Sequence, residues 1–436
     1  MAKYQKYAEY KDSGVEWLGE IPRHWDSKPL KYLCTYNDEV LPETTAKDAE
    51  IQYIDIGSVS AVDGISKIET MIFKDAPSRA RRIVRDGDVI VSTVRTYLEA
   101  IAPINNPPEN LIVSTGFAVI RPNQYLYKSF ASYCLRAKGF IKEVVARSVG
   151  VSYPAINSSD LVNITIPSIE YVEQVKIANF LDHETAKIDS LIAKQEKLIE
   201  LLKEKRQAVI SHAVTKGLNP DVAMKDSGVE WLGQVPEHWE ISPIKFILEN
   251  KDYKRIPLSA EERGNFSGDY RYYGASGVID YIDDYIFDEP NVLVGEDGAN
   301  LVNRNTPLAF PAYGKYWVNN HAHILHPQDG LADYWAELIE IIDISPLVSG
   351  SAQPKLTAEA LKNLKISFPS DMEERKAIDA FIKQQKAKFD LLISKATDQI
   401  KLLKERRTAL ISSAVTGKID VHNWQHLNEA KTEFSA

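Results

Sequence analysis

Two long stretches of the chain place apolar residues at the 3.5-residue spacing of a coiled coil. The first heptad series runs from Ile177 to His212 and the second from Ile378 to Ser413. Polar residues interrupt both series at corresponding places. This spacing predicts two helices of about 36 residues, each about 54 Å long at a rise of ~1.5 Å per residue.

Helices of this length need a partner, because a small neighbouring domain cannot cover the whole apolar seam. The nearest partner is the other helix, since two similar seams on one chain meet at high effective concentration. We therefore expect the two helices to pair with each other within the chain. Homodimerisation through the same seams is the alternative.

The segments between the helical stretches combine short β-rich runs with turn signals. Asp88 to Thr93 and Asn291 to Gly295 are typical of strands, and Asp86-Gly87 and Gly274 to Gly277 are typical of turns. This mixture predicts α+β domains. Patterns of this kind do not specify the order of the strands.

A nine-residue segment occurs twice without change, at 11–19 and at 225–233, and the match continues more loosely to 31 and 245. We call residues 11–31 and 225–245 the repeat segments; one opens each half of the chain. The helical stretches also end alike, with Ala213-Val214-Thr215 in the first and Ala414-Val415-Thr416 in the second. The chain is therefore an internal repeat.

Between these shared ends, the two halves are only weakly similar in sequence. The segments that still correspond are Val89-Ile90-Val91 with Val292-Leu293-Val294, Ile112 to Thr115 with Trp317 to Asn320, and Arg121-Pro122 with His326-Pro327. One scaffold with different side chains would suit two domains that read different ligands. Drift after duplication predicts the same divergence.

Composition narrows the class of protein. The 436 residues are 44% hydrophobic and 26% charged, which is typical of a globular chain of several domains. Two cysteines, Cys34 and Cys134, cannot build a disulfide framework or a Cys-rich zinc site. The polar N-terminus and the lack of long apolar runs predict a cytoplasmic protein without a membrane segment. The net charge of −9 excludes a nonspecific nucleic-acid coat but not local basic patches.

The order of these features, present twice, resembles the specificity subunits of type I restriction-modification systems over nearly the whole chain. Single pieces are weak, but their doubled arrangement is specific. The residues that carry the resemblance are the repeated Lys-Asp-Ser-Gly-Val-Glu-Trp-Leu-Gly, Gly87 to Arg95, Tyr273 to Val278, Gly295 to Asn300, Trp317 to His323, and Pro167 with Glu173-Gln174 before the helical stretch. The second copy departs at this last place, where Arg375 stands in place of Gln174.

The resemblance implies an α+β chain with two similar target-recognition domains, separated by two long helices that form an antiparallel coiled coil with pseudo-twofold symmetry. It further implies that each domain reads one half of a bipartite double-stranded DNA site. Two modification (methyltransferase) subunits and motor-nuclease restriction subunits are the implied partners. The corresponding boundaries are 1–168 for recognition domain 1, 169–216 for spacer helix 1, 217–370 for recognition domain 2, 371–418 for spacer helix 2 and 419–436 for a C-terminal tail.

No catalytic or metal-binding motif is recognisable. Asn106-Pro107-Pro108 is followed by Glu109, whereas an adenine methyltransferase needs an aromatic residue there, and no cofactor loop precedes it. A phosphate-binding loop is also absent from the sequence. We therefore expect no catalytic residues, no metal and no cofactor in this chain, with S-adenosylmethionine, ATP and Mg²⁺ bound by partner subunits. The alternatives are a coiled-coil scaffold that does not read DNA and, more remotely, a self-contained methyltransferase or nuclease.

Candidate DNA-binding residues are those whose side chains suit base edges or phosphates, since Arg fits guanine and Asn fits adenine. In the first domain they are Arg79, Arg81, Arg82, Arg85, Ser92, Thr93, Arg95 and Tyr97. In the second they are Lys254, Arg255, Tyr272, Tyr273, Ser276, Asn300, Arg304, Lys315, Tyr316, Asn319 and Asn320. The competing interpretation is a solvated basic surface for the arginines and half-buried strand positions for Tyr272 and Tyr273.

Overall fold

The structure is a computed structural model that describes residues 4–60, 62, 64–264, 268–350 and 353–425. The chain forms two compact units. Unit 1 contains the described residues up to Glu196 and from Asp398 onward, and unit 2 is Lys197–Thr397. The division falls inside both long helices, so each unit holds one segment of each helix.

Unit 1 begins with fourteen short strands and four helices among its described residues. The strands are β1 Tyr10–Asp12, β2 Glu20–Pro22, β3 Asp26–Pro29, β4 Cys34–Tyr36, β5 Glu50–Ile54, β6 Val59–Ser60, β7 Gly64–Ile65, β8 Glu69–Ile72, β9 Ala80–Ile83, β10 Val89–Ser92, β11 Ile101–Pro103, β12 Leu111–Ser114, β13 Phe117–Pro122 and β14 Thr165–Ser168. The helices are α1 Lys128–Leu135, α2 Lys138–Ala146, α3 Ser158–Leu161 and the long α4 Tyr171–Lys216.

Unit 2 repeats this arrangement in its described residues. Its strands are β15 Met224–Asp226, β16 Gln234–Pro236, β17 Trp239–Pro243, β18 Leu248–Asn250, β19 Tyr270–Gly274, β20 Gly277–Ile282, β21 Phe287–Asp288, β22 Asn291–Gly295, β23 Ala309–Ala312, β24 Lys315–Val318, β25 Ala322–Pro327, β26 Val348–Ser349, β27 Lys355–Leu356 and β28 Lys365–Pro369. The helices are α5 Ala260–Gly264, α6 Asn300–Asn303, α7 Ala332–Glu340, α8 Ala358–Asn363 and the long α9 Met372–Val415.

The two units have the same sheet topology. One four-stranded sheet has the order β11-β10-β13-β4 in unit 1 and β23-β22-β25-β18 in unit 2. The other has the order β8-β5-β12-β9 in unit 1 and β20-β19-β24-β21 in unit 2, with one parallel pair in each. The strand order that the sequence left open is therefore common to both halves.

The pairing of the strands supports the weak sequence similarity between the two halves. Arg121 and Pro122 pair with Thr35 and Cys34, and the corresponding His326 and Pro327 pair with Glu249 and Leu248. The runs around Val89 and Val292 form β10 and β22, whose residues are all buried. Strands covered on both faces favour unbroken apolar runs, which explains why this pattern survived in both copies.

The two long helices are confirmed, and both exceed the predicted length, with 46 residues in α4 and 44 in α9. Within unit 1, Arg407 of α9 lies 3.0 Å from Asp189 of α4. Within unit 2, Arg206 of α4 lies 2.8 Å from Asp390 of α9, and Gly217 lies near Glu374. In unit 2, later residues of α4 therefore meet earlier residues of α9, which makes the packing antiparallel.

In the middle of the long helices, the residues that face inward are not those that the predicted heptad register places there. The heptad series that start at Ile177 and Ile378 predict that Leu191, Leu198 and Leu392 face inward, but all three are exposed. Ile192 and Ile199, one residue later, are the partly buried ones. The predicted register was wrong at these positions because adjacent apolar residues fit either seam, and contacts across the helix pair decide between them.

Each repeat segment packs against the start of a long helix in its own unit. Trp25 is fully buried and its Nε1 donates a hydrogen bond to Glu173 Oε1 at 3.0 Å. Trp239 is buried in unit 2 and donates in the same way to Glu374 at 3.1 Å. In each unit, a tryptophan of the repeat segment therefore joins that segment to the first turn of a long helix.

Cys34 and Cys134 are both free thiols buried in unit 1. Burial, together with the nearby Asp38, raises the pKa of Cys34 to about 12, and burial raises the pKa of Cys134 above its ordinary value. None of the helices in the described part of the chain combines the length and the apolar character needed to cross a membrane.

Candidate nucleic-acid interface

The arginine cluster of unit 1 is largely partnered within the protein. Arg79 forms an ion pair with Asp55 at 2.9 Å, and Arg85 donates to Glu39 at 3.0 Å. Arg81 lies over the ring of Phe73. Because carboxylates partner Arg79 and Arg85, the local positive charge is weaker than the sequence suggested. The side chains of both arginines nevertheless remain exposed.

Arg82 differs from its neighbours because it is partly buried, and burial lowers the pKa of its guanidinium. Its Nε has no hydrogen-bond partner among the described residues. A buried donor of this kind is costly to leave unpaired. The side chain is a poor candidate for a phosphate contact in this conformation.

Ser92 and Thr93 are buried at the end of β10 and support the following turn. Ser92 Oγ donates to the Val94 carbonyl at 2.6 Å, and Thr93 Oγ1 donates to the Gly116 carbonyl at 2.9 Å. Arg95 and Tyr97 follow them on the exposed side. The predicted segment thus divides into two residues that shape a turn and two that face solvent.

Arg95 occupies a strained backbone position. Its φ is +51°, in the left-handed region that few residues other than Gly adopt. Its guanidinium lies 5.2 Å from the centre of the Tyr153 ring, within cation–π range. Strain of this kind persists only where surrounding contacts hold it, and it is concentrated at functional sites.

Those contacts come from a hairpin at residues 148–155, which no sequence pattern had indicated. Val149 and Ala155 exchange backbone hydrogen bonds at 2.8 and 3.0 Å. Thr96 binds the hairpin twice, through its backbone N to the Pro154 carbonyl and through its hydroxyl to Ser148. The hairpin and the Arg95 turn therefore form one hydrogen-bonded surface.

The tip of this hairpin is apolar and exposed. The exposed fraction is 81% for Val149, 100% for Val151 and 67% for Tyr153. Gly150 has a φ of +112°, so its lack of a side chain allows the sharp turn. Single exposed apolar residues are common, but three within five positions on a strained turn are a candidate contact surface.

Unit 2 has the equivalent hairpin in β26 and β27. Ser349 pairs with Lys355, and Gly350 has a φ of +87°. The Gly298 amide donates to the Pro354 carbonyl at 3.0 Å, which matches the Thr96 contact with Pro154. Gly150 and Pro154 correspond to Gly350 and Pro354 in both sequence spacing and structure. A repeated glycine and proline at this spacing was the signal that sequence reasoning could have used.

The second hairpin carries different chemistry. Its described exposed residues include Ser349, Gln353 and Lys355 in place of the valines and tyrosine of unit 1. Lys355 Nζ lies 3.2 Å from Glu296. Among their described residues, the two hairpins thus share a glycine turn and a proline contact, but the exposed side chains are apolar in unit 1 and polar in unit 2.

Several candidates of unit 2 belong to the core. Tyr272, Tyr273, Tyr316 and Asn319 are buried. Tyr316 donates its hydroxyl to the Glu289 carbonyl at 3.0 Å, and Asn319 accepts from the His321 amide at 2.8 Å. These side chains cannot reach a ligand from this conformation.

Arg255 is also occupied within the protein. It donates to Glu296 at 2.5 Å and to the Ala322 carbonyl at 2.9 Å. Burial alone would raise the pKa of Glu296, but the hydrogen bond from Arg255, with His323 and Lys355, lowers it overall. This ion pair fastens the segment after β18 to the end of β22.

Asn300 and Arg304 stabilise the loop that follows β22. Asn300 donates to the Thr306 carbonyl at 3.0 Å and accepts from its amide at 2.9 Å. Arg304 donates to the Ile342 carbonyl at 2.6 Å. The candidates that remain exposed in unit 2 are Lys254, Ser276, Lys315 and Asn320.

Comparison with known proteins agrees with this architecture. The family model described as type I restriction modification DNA specificity domain matches residues 22–201 and 236–402. The specificity subunit of the MjaVIII type I restriction enzyme of Methanocaldococcus jannaschii is 24% identical over 340 residues, covering 72% of this chain and 76% of that protein. The StySPI specificity subunit of Salmonella potsdam is 31% identical over 224 residues, covering 49% of this chain and 47% of that one.

Solved structures support the fold. A chain from a structure described as the basis of complex assembly and conformational transition of the type I R-M system superposes with a TM-score of 0.69 at 20% identity, covering 92% of this chain and 99% of that one. The HsdS subunit from Thermoanaerobacter tengcongensis gives 0.50 at 21% identity, covering 92% and 98%. Because the family model matches most of the chain and both of its units, the protein belongs to the family of type I restriction-modification DNA specificity subunits.

Proposed function

We propose that this chain is the DNA-reading subunit of a type I restriction-modification complex, in which each unit reads one half of a bipartite target. The chain itself performs no chemistry. Modification subunits methylate adenine with S-adenosylmethionine, and restriction subunits cleave DNA with ATP and Mg²⁺. Family membership of both units supports this assignment.

The observation that carries the proposal is the contrast between the two hairpins. The units share strand order and the backbone contacts that hold residues 148–155 and β26–β27 in place. Their exposed tips differ in chemistry. Scaffold similarity with different exposed side chains is what two readers of different sequences require, because base edges rather than phosphates specify a site.

We propose that DNA is read at the candidates that remain exposed. In unit 1 these are Arg79, Arg85, Arg95 and Tyr97, and Arg95 lies beside Tyr153 of the hairpin. Arginine suits phosphates and guanine edges, and apolar side chains can wedge between base steps or contact thymine methyl groups. The surface around Arg95 and Tyr153 therefore combines the two kinds of contact.

Partner subunits are proposed to bind the helices. Leu191 and Leu402 in unit 1, and Leu198, Leu201 and Leu391 in unit 2, are exposed although they are large and apolar. Exposed leucines on long helices are typical of surfaces that a partner covers. Binding there would leave the hairpins free for DNA.

Methyl transfer measured with purified components tests the assignment. The chain alone, given S-adenosylmethionine and genomic DNA, should transfer no methyl group, and addition of its modification subunit should restore transfer to adenine. Transfer by the pure single chain would contradict the non-catalytic part of the proposal. A complex that assembles but binds all DNA sequences equally would favour a scaffold without a reading function.

A further inference from the structure

Three side chains with metal-binding atoms meet in unit 1, although they come from distant parts of the chain. His24 lies in the first repeat segment, Glu173 in the first turn of α4, and His422 beyond the end of α9. One ligand atom from each lies within 4.8 Å of the others, and this is the one such group of three in the part of the chain that the structure describes.

Glu173 is positioned as a metal ligand by its two hydrogen bonds. Its Oε1 accepts from the Tyr7 hydroxyl at 2.8 Å and from Trp25 Nε1 at 3.0 Å. Its Oε2 faces His24 Nε2 at 3.1 Å. The carboxylate is therefore held by one oxygen and presents the other toward the imidazole, which is the separation expected of two ligands on one ion.

His422 is oriented by a carboxylate of its own. Its Nδ1 lies 2.8 Å from Asp420 Oδ1, which leaves Nε2 available. A ligating histidine commonly donates its other ring N–H to a carboxylate, which fixes the tautomer and increases the basicity of the ligating nitrogen. The rings of His24 and His422 have their centres 5.9 Å apart.

The charge around this group favours a cation. Glu173 is buried, and among the described residues its ion-pair partner is His24, which is neutral unless protonated. Asp420 adds a second carboxylate. Asp420 Oδ1 lies 2.8 Å from His422 Nδ1, so two carboxylates adjoin the two histidines. A bound divalent ion would compensate them.

Unit 2 provides an internal control, because it repeats part of this arrangement. His238 Nε2 lies 2.8 Å from Glu374 Oε2, and Trp239 Nε1 donates to Glu374 Oε1. Within the described residues no third histidine or carboxylate joins them in a metal-binding group. The pair without a third ligand should not hold an ion.

We propose that His24, Glu173 and His422 form a binding site for a divalent transition ion of the zinc class. Two imidazoles and one carboxylate suit Zn²⁺, and the exposed edges of both histidines leave a fourth position for water. The ion would be structural. It would fasten the segment after α9 to the start of α4, close to the place where the Tyr10 hydroxyl already donates to the Gly417 carbonyl.

The test uses the full chain without a polyhistidine tag, treated with a chelator and then titrated with Zn²⁺ in a calorimeter. We expect one equivalent to bind and the melting temperature to rise. His422→Gln retains a polar side chain but has no imidazole, and it should weaken binding at least tenfold. Asp420→Asn should weaken it by about 10- to 100-fold, the usual effect of removing a supporting carboxylate.

His238→Gln is the matched control and should leave zinc affinity unchanged. His24→Gln is a second variant at an exposed position, so loss of binding there cannot be attributed to misfolding when the circular dichroism spectrum is unchanged. Absence of stoichiometric binding by the wild-type chain would overturn the proposal. Equal losses in His422→Gln and His238→Gln would overturn it as well.

Discussion

The hairpins of the two units use the same backbone for different surfaces. In unit 1 the Gly150 turn carries Val149, Val151 and Tyr153, whereas in unit 2 the Gly350 turn carries Ser349 and Gln353 among its described residues. The glycine and the proline that shape the turns are retained, as Gly150 with Pro154 and Gly350 with Pro354, whereas the exposed residues that the structure describes differ. At these hairpins the backbone contacts are kept while the exposed chemistry changes.

The same contrast separates the arginines. Arg255 is largely buried and bound to Glu296, so it stabilises unit 2, while Arg95 is exposed beside Tyr153 and has no such carboxylate contact in the described ion pairs. Residue type alone placed both among the DNA-binding candidates. Burial and partners give them different roles.

Loss of the tryptophan–glutamate contact that occurs within each unit should have the largest effect on stability. Trp25→Ala and Trp239→Ala each remove a buried tryptophan and one hydrogen bond to Glu173 or Glu374. We expect each to lower the free energy of unfolding by about 3–5 kcal/mol, measured by denaturant titration of the full chain. Trp424→Ala, which removes a less buried ring, is the control. A much smaller loss for one of the pair would show that the two repeat segments are not equivalent.

Substituting the two arginines one at a time should distinguish a residue that stabilises the fold from a residue that binds DNA. Arg255→Ala leaves Glu296 partly buried without its main donor and should cost about 3 kcal/mol of stability. Arg95→Ala should cost less than about 0.5 kcal/mol, since exposed positions contribute little. DNA retention by the assembled complex gives the opposite ranking: Arg95→Ala should weaken it and Arg255→Ala should not, at a temperature where both are folded. The reverse ranking would refute the role assigned to each.

Changes at the hairpin tips should act on one half-site each. Tyr153→Ser removes an exposed ring and the cation–π partner of Arg95, for an expected loss of about 1–2 kcal/mol in DNA binding, or roughly tenfold. Gln353→Ser should produce a loss at the other half-site. Selection from a random DNA library by the assembled complex reports both. If both variants lost sequence preference in the same half-site, the assignment of one half-site to each unit would be contradicted.

The last comparison concerns the cysteines, which lie only in unit 1. Because the pKa of Cys34 is raised to about 12 and both thiols are buried, labelling at neutral pH requires unit 1 to open. Trp25→Ala should accelerate labelling strongly, while Trp239→Ala should change it less than tenfold. Equal acceleration would mean that the units unfold as one.

The sequence predicted the parts of the fold that depend on local periodicity. Heptad spacing located α4 and α9, and the repeat segments located the start of each half. The register near Leu191 could not be predicted, because Leu191 and Ile192 both suit a seam until the opposing helix is known. Strand order could not be predicted either, since the pairing of β5 with β12 joins residues far apart in sequence.

The candidate site was predicted in part. Arg95 and Tyr97 were chosen by residue type, and both are exposed in the structure. Tyr272 and Tyr316 were misleading, since β-rich aromatic runs occur in cores as well as on binding surfaces, and only packing distinguishes the two. The hairpin at 148–155 lacks periodicity and charge, so its exposure appears only when Val149 pairs with Ala155.

Whether each unit reads one half of the target can be decided by mapping methylated adenines across a genome. Cells should carry the wild-type chain or a chain whose residues from Cys34 to Ile156, including the first hairpin, come from the matching domain of a relative. We predict a two-part motif in which the exchange alters one half and leaves the other unchanged. Alteration of both halves, or of neither, would contradict the assignment of one half-site to each unit.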